Sequence, residues 1–339
     1  MKSLLFPSVL EKHNDELKNL SSNLIQSLKV YHEDTGYVVG ELAMVEGKSP
    51  HKIVNSSPDD KDYQVLAKSS LVVLNKIINQ PLILTVGFPY STYQIFREDA
   101  ANFFKGKHEV KHDIFTLGKN KGQNVGIEVE SVEVIPEIIG CSLAVRSKKK
   151  VKGGCFVVNI GYGTFEACLT NDYGIVDRTV ISRPGIRYAI DTAMRELSQK
   201  NYLGLRTEHQ FDSSFQKGSI ILSRKKIDLA PVRKNVLRKY FEEIISPAIR
   251  NTWQDDDFSI SSDLYIAGGG AHYEDLIDYF REEFGDFLNI EVIDDPQYAV
   301  SQGYCYRSYR LSDDKSRSVG IDIGNAQTVI SFYDEEEIG

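Results

Sequence analysis

The sequence predicts an α/β fold in two domains. Three observations lead there. Helical and strand periodicities alternate along 339 residues, a strand-turn-strand layout with a fixed glycine occurs twice, and a glycine triplet joins a strand to a helix. A composition of 41% hydrophobic and 26% charged residues excludes disordered and collagen-like classes. The 40 basic and 48 acidic residues leave a net charge of −8, so no direct nucleic-acid contact is expected, and DNA would be reached through a partner. No apolar run has the length of a membrane span, and residues 1–7 are too short for a signal peptide, so a cytoplasmic location is expected. Cys141, Cys155, Cys168 and Cys305 lack Cys-x-x-Cys spacing and read as buried thiols.

Residues 1–10 read as a strand, and 11–28 place Leu17, Leu20, Leu24, Ile25 and Leu28 at helical spacing. Residues 29–63 are polar and irregular, with short strand-like pieces such as 37–40, and read as a small insert rather than core. A helix over 63–78 leads into the apolar run 81–87, a buried parallel strand, and a second helix covers 93–104. Between 107 and 134 the period falls to two, with Val125, Ile127 and Val129 alternating with polar neighbours, which predicts a hairpin; Pro136 then opens a helix. The basic run 148–152 before Gly153 and Gly154 marks the domain junction and reads as a solvated crossover loop. The second half carries strands at 155–160 and 263–267 and helices at 188–200, 231–252 and 272–284.

The repeat lies at 156–169 and 319–332. Each copy is an apolar strand ending in Asn159 or Asp322, one apolar residue, Gly161 or Gly324, a tight polar turn and a second strand. A glycine at that offset lets backbone N–H groups approach phosphate oxygens that a side chain would hold away. Two such turns facing one another can grip a polyphosphate, and a strand-end Asp322 can hold hydrated Mg2+ through water. In the third element, Gly268, Gly269 and Gly270 follow a strand and open a helix, so bare backbone can pack on a flat base and ribose.

With these segments on the page, together with 86–89, 134–137 and the 296–304 helix, the sequence resembles the actin-like ATPases, in particular the plasmid-segregation actins of the ParM type and archaeal actin-like proteins. The resemblance implies an actin-like (ribonuclease H-like) two-domain ATPase fold around a nucleotide cleft that takes ATP and Mg2+. It implies that Gly324, Asn325, Ala326, Gln327 and Thr328 contact phosphate from one side and Gly161, Tyr162, Gly163 and Thr164 from the other. Gly268, Gly269 and Gly270 would hold adenosine, Asp322 would hold Mg2+ through water, and Glu137 would position the attacking water. The implied function is self-association into ATP-dependent filaments of cytoskeletal or plasmid-segregation type, with an adaptor protein as a further partner.

The chain departs from the family pattern in order and in two residues. The first phosphate hairpin comes last, and joining Gly339 to Met1 restores the usual sequence, so the fold is expected to be circularly permuted with its two ends close together. Domain I is then 1–147 plus 305–339, with the insert at about 29–63, and domain II is 148–304. Asn159 stands where the family has an aspartate. An amide still hydrogen-bonds a metal-bound water but brings no negative charge, so ATP hydrolysis is expected to be slow. Val329 replaces a phosphate-contacting lysine, as an apolar residue also does in bacterial rod-shape actins. The alternatives are a non-polymerising ATP-dependent scaffold and a small-molecule kinase or phosphatase of the same superfamily, for which no sugar-kinase signature is present.

Three further motifs are set aside. His108 to His112 fits His-Glu-x-x-His, but it falls in a predicted hairpin, where residues four apart are too distant for one zinc ion. The acidic run 334–337 reads as a solvated turn, and Lys225 and Lys226 read as surface lysines.

Overall fold

A computed structural model of the chain describes all residues except 18–20, 22, 53–56, 117–118, 200–202, 204–207, 223 and 339. In chain order the strands are β1 (Lys2–Pro7), β2 (Val9–Lys12), β3 (Lys29–His32), β4 (Thr35–Val39), β5 (His51–Lys52), β6 (Leu82–Phe88), β7 (Gly106–Thr116) and β8 (Lys119–Pro136). They continue with β9 (Cys155–Ile160), β10 (Thr164–Asn171), β11 (Gly174–Ile175), β12 (Ile181–Pro184), β13 (Ser219–Leu222), β14 (Lys225–Asp228), β15 (Asp263–Ala267), β16 (Asn289–Val292), β17 (Ser318–Ile323) and β18 (Gln327–Phe332). Contacts divide the chain into two units: Met1–Phe88, Thr92–Pro136 and Ser301–Gly339 form the first, Pro89–Ser91 and Glu137–Val300 the second.

The first unit is built on a sheet of order β1-β18-β17-β6-β8-β7-β3-β4-β2-β5. β1 and β17 both run antiparallel to β18, whereas β6 runs parallel to β17 and to β8. In the second unit the order is β11-β10-β9-β15-β16, with β12 also paired to β10. Here β12 and β9 run antiparallel to β10, and β15 runs parallel to β9 and to β16. The rows β1-β18-β17-β6-β8 and β12-β10-β9-β15-β16 therefore have the same pattern of directions, with the β17–β18 hairpin in the place of β9–β10. The ends of the chain meet in the first unit: β1 pairs along β18, Met1's amino group forms an ion pair with Glu337, and Lys2 lies 2.6 Å from Asp334.

Each unit has its own apolar core. In the first, the helix Lys61–Asn75 is started by Asp60, whose carboxylate accepts the N–H of Asp62 at 3.0 Å. It buries Tyr63, Leu66, Leu71 and Leu74 against the sheet, with the Tyr63 ring stacked 5.8 Å from Phe88. In the second, Phe156 of β9 packs 4.4 Å from the ring of Trp253. β9 is buried along its whole length, which is why its sequence is apolar at every residue but Asn159 rather than alternating.

The structure corrects three elements. Residues 11–28 do not form one helix. They contain the end of β2 and a 3-10 turn at Leu24–Ser27, and Leu20 lies outside the described residues. Their leucines serve two clusters, Leu17 with Val9 and Val38, and Leu28 with Val30 and Val39, so the helical spacing is not a single face. Residues 29–63 carry β3, β4, β5 and a helix at Glu41–Glu46, with Val30, Val38 and Val39 fully buried. These strands are too short for an alternation to show. Residues 231–252 are two helices, Ala230–Tyr240 and Ser246–Thr252, joined by a π turn at Phe241–Ile245. Pro247 cannot donate into the helix, and the wider turn just before it absorbs the misfit.

Candidate functional site

In the first unit, β17 and β18 form a hairpin whose turn is residues 324–326. The amide of Gly324 donates to the carbonyl of Gln327 at 3.1 Å, and a Cβ on Gly324 would come within 3.0 Å of that carbonyl. The turn is held from one side by Ser8: its amide donates to the carbonyl of Ala326 at 2.9 Å, and its hydroxyl lies 2.9 Å from that of Thr328. Thr328 is fully buried, so its hydroxyl faces Ser8, while Gly324, Asn325, Ala326 and Gln327 are partly exposed. Asp322 sits at the end of β17 opposite Val329. Burial among Tyr63 and its neighbours pushes its carboxyl up to about 7, and no cation or donor among the described residues offsets it.

In the second unit, β9 and β10 repeat this arrangement. The amide of Gly161 donates to the carbonyl of Thr164 at 2.8 Å, and a Cβ on Gly161 would lie 2.9 Å from it. Behind the turn, the amides of Gly185, Ile186 and Arg187 donate to the carbonyls of Gly163, Gly161 and Tyr162 at 2.9, 3.1 and 3.0 Å. Gly185 was not singled out from the sequence. Any Cβ there would come within 2.6 Å of Thr164 N and Tyr162 O, so only glycine lets the following helix close the turn. The three carbonyls are thus satisfied from behind. Tyr162 donates its hydroxyl to Asp212 at 3.3 Å, and Thr164 donates to Glu137 at 3.4 Å. Glu137 begins the helix Glu137–Lys149, and Asn159 is 2% exposed at the end of β9.

The glycine triplet belongs to the same unit. Gly268 has φ +85°, and a Cβ there would lie 2.5 Å from Ile160 O and 2.7 Å from Asn159 Oδ1; a Cβ on Gly270 would lie 2.2 Å from Ile160 Cγ2. These two glycines thus press the triplet against the β9 end of the second turn. Around Gly269 there is open space, with nothing within 4 Å of an added Cβ. The triplet leads into a 3-10 turn, Gly269–His272, before the helix Glu274–Phe284 begins, so it does not open that helix directly.

Residues 1–140 match the family described as the N-terminal domain of actin-like proteins. Among solved structures, the archaeal actin homologue Ta0583 is 16% identical and superposes with a TM-score of 0.69 over 90% of this chain and 92% of its own. A non-polymerisable quadruple mutant of pCBH ParM is 19% identical, with a TM-score of 0.68 over 90% and 92%. The chain has the actin-like fold. MreB5 of Spiroplasma citri, solved with ADP, shares this actin-like architecture at 14% identity and a TM-score of 0.56 over 84% of this chain and 83% of its own. Among curated proteins none matches.

The motifs set aside from the sequence fall elsewhere on the actin-like frame. His108 and His112 lie on β7, a strand, with the His108 ring 2.7 Å from the carbonyl of Phe104 and His112 buried. Lys148 donates to the carbonyl of Asp294 at 2.8 Å and Lys149 pairs with Glu291, so this part of the basic run ties the end of the Glu137–Lys149 helix down. Among the described residues no helix is long and apolar enough to cross a membrane.

Proposed function

We propose that this actin-like chain binds ATP with Mg2+ and assembles with copies of itself into nucleotide-dependent filaments of cytoskeletal or plasmid-segregation type. One observation carries the reading: each unit has a hairpin with a polar residue at its strand end and a glycine turn closed on a carbonyl three residues on. β17–β18 carries Asp322, and β9–β10 carries Asn159. Backbone amides of such turns suit phosphate oxygens, and the space at Gly269 suits a base or ribose. Bound Mg2+ supplies positive charge against the phosphates and an ordered water shell. Asp322 suits a hydrated Mg2+, because its partly exposed carboxylate lacks a compensating charge among the described residues. Asp322 would accept hydrogen bonds from metal-bound water, and Glu137 would orient the attacking water. Solved relatives point the same way: Ta0583 has been solved in complex with ADP, and Alp12 as a filament. A cytoplasmic location and an adaptor that links filament to cargo complete the proposal.

The reading includes a circular permutation. Its support is that the matching strands follow one chain order in the two units, β9-β10-β12-β15-β16 and β17-β18-β1-β6-β8, when β17–β18 is read as the first hairpin and β1 as the strand after it.

Sedimentation with and without Mg-ATP, with electron microscopy of the pellet, tests the assembly. Pelleted filaments that require nucleotide are expected, and persistent monomers under saturating ATP contradict it. Hydrolysis is expected to be slow because Asn159 brings no charge. Asn159→Asp is expected to speed phosphate release roughly tenfold or more, whereas an equally slow variant removes that explanation.

A further inference from the structure

Glu166 is an acid inside the apolar run Phe165–Leu169 of β10, and it is 0% exposed. Register places it between Asn159 on β9 and Ser182 on β12, so the three side chains share one face of the sheet. Its Oε1 accepts the N–H of Tyr90 at 2.6 Å, the first residue of the helix Tyr90–Phe104. The N–H of Ile138, second residue of the Glu137–Lys149 helix, and the Ser182 hydroxyl also face this carboxyl. Tyr90 and Ile138 lie in the segments where the chain enters the second unit, at Pro89 and at Glu137.

The other oxygen, Oε2, is buried without a hydrogen-bond partner, and so is Oδ1 of the directly paired Asn159. Two buried acceptors on paired residues repel, and each forgoes a hydrogen bond that water would have supplied. A proton on Oε2 turns one of them into a donor.

We propose that Glu166 is a positioning residue, a neutral acid whose Oε2 donates to Asn159 while its carboxyl holds the entry segments at Tyr90, through Oε1, and at Ile138. Burial pushes the Glu166 carboxyl up to about 7, and the Cys141 and Cys168 thiols near it are also held up and neutral. Glu137 is a second acid close to Cys141, and no basic side chain among the described residues offsets the Glu166 carboxyl. The clasp gives Asn159 a second reason to be an amide: an aspartate there would set two carboxylates on one proton. That Glu137, at the start of its helix, orients water rests on the proposed function, whereas the clasp stands without it.

Hydrogen exchange on the nucleotide-free full chain separates the two. Glu166→Ala is expected to lose roughly tenfold protection in peptides covering 89–91 and 137–140, the size of one lost hydrogen bond, with β15 unchanged. Glu166→Gln is expected to restore it, because its carbonyl accepts from Tyr90 and its amide donates to Asn159. If the alanine variant does not fold, Glu166→Asp, one methylene shorter, takes its place with the same expected loss. Unchanged protection in the shortened variant, or a glutamine variant as unprotected as the alanine, overturns the clasp. Since no nucleotide is present, that result is independent of whether ATP binds.

Discussion

Asp322→Asn is expected to make the nucleotide-free protein more stable and to abolish its stabilisation by Mg-ATP. In the folded chain the Asp322 carboxyl is pushed up to about 7 by burial with no cation to offset it. A raised carboxyl keeps its proton in the folded chain between about pH 4 and 7, so the stability present at acid pH is lost as the pH rises through that window. Asparagine has the same shape and no charge, so its advantage grows from about pH 4 to 7 and is constant above. We expect about 2 kcal/mol near pH 8, less than the shift alone would give, because the side chain is only half-buried and water screens it. The same charge is what hydrated Mg2+ needs. Thermal unfolding of both proteins with and without Mg-ATP therefore gives a crossed pattern: the variant melts higher alone, and only the wild type rises with ligand. A variant that melts lower alone would mean that Asp322 has a structural partner.

The glycine triplet gives the second large effect, and it separates folding from binding. Gly268→Ala places a Cβ 2.5 Å from the backbone oxygen of Ile160 at a residue with φ +85°. Neither strain is relieved by a side-chain rotation, so a loss of about 3 kcal/mol is expected. The loss falls on the turn beside Asn159, and nucleotide binding goes with it. Gly269→Ala meets open space and is expected to change stability by less than about 0.5 kcal/mol. It puts a methyl group where the base or ribose would lie, so it is expected to weaken ATP at least tenfold in a folded protein. Denaturant unfolding and ATP titration of the two variants check the contrast.

How far the sequence could be read depended on where the information lies. Residues 155–160 and 263–267 were legible as strands to the residue because the two pair in parallel and each is mostly apolar, broken only by Asn159 in the first and Asp263 in the second. The two hairpins were legible because the glycine at a fixed offset marks where each strand turns back. Of the strands between 29 and 52, β4 showed in part as the strand-like piece at 37–40, but β3 and β5, four and two residues long with Lys29, His32, His51 and Lys52 among them, leave no period to count. Gly185 was missed for a different reason: its need for a bare backbone comes from a turn more than twenty residues earlier in the chain, and it shows only in the packing. Glu166 did leave a signal, a lone acid in an apolar strand, but its partners Tyr90 and Ile138 come from distant segments.

The central proposal is that the chain binds one Mg-ATP. Calorimetric titration of the wild-type protein with ATP, with Mg2+ and then with Mg2+ removed by chelation, tests it most directly. The account predicts one site per chain, tight with Mg2+ and at least tenfold weaker without it; absence of binding at millimolar Mg-ATP, or binding indifferent to Mg2+, would contradict it.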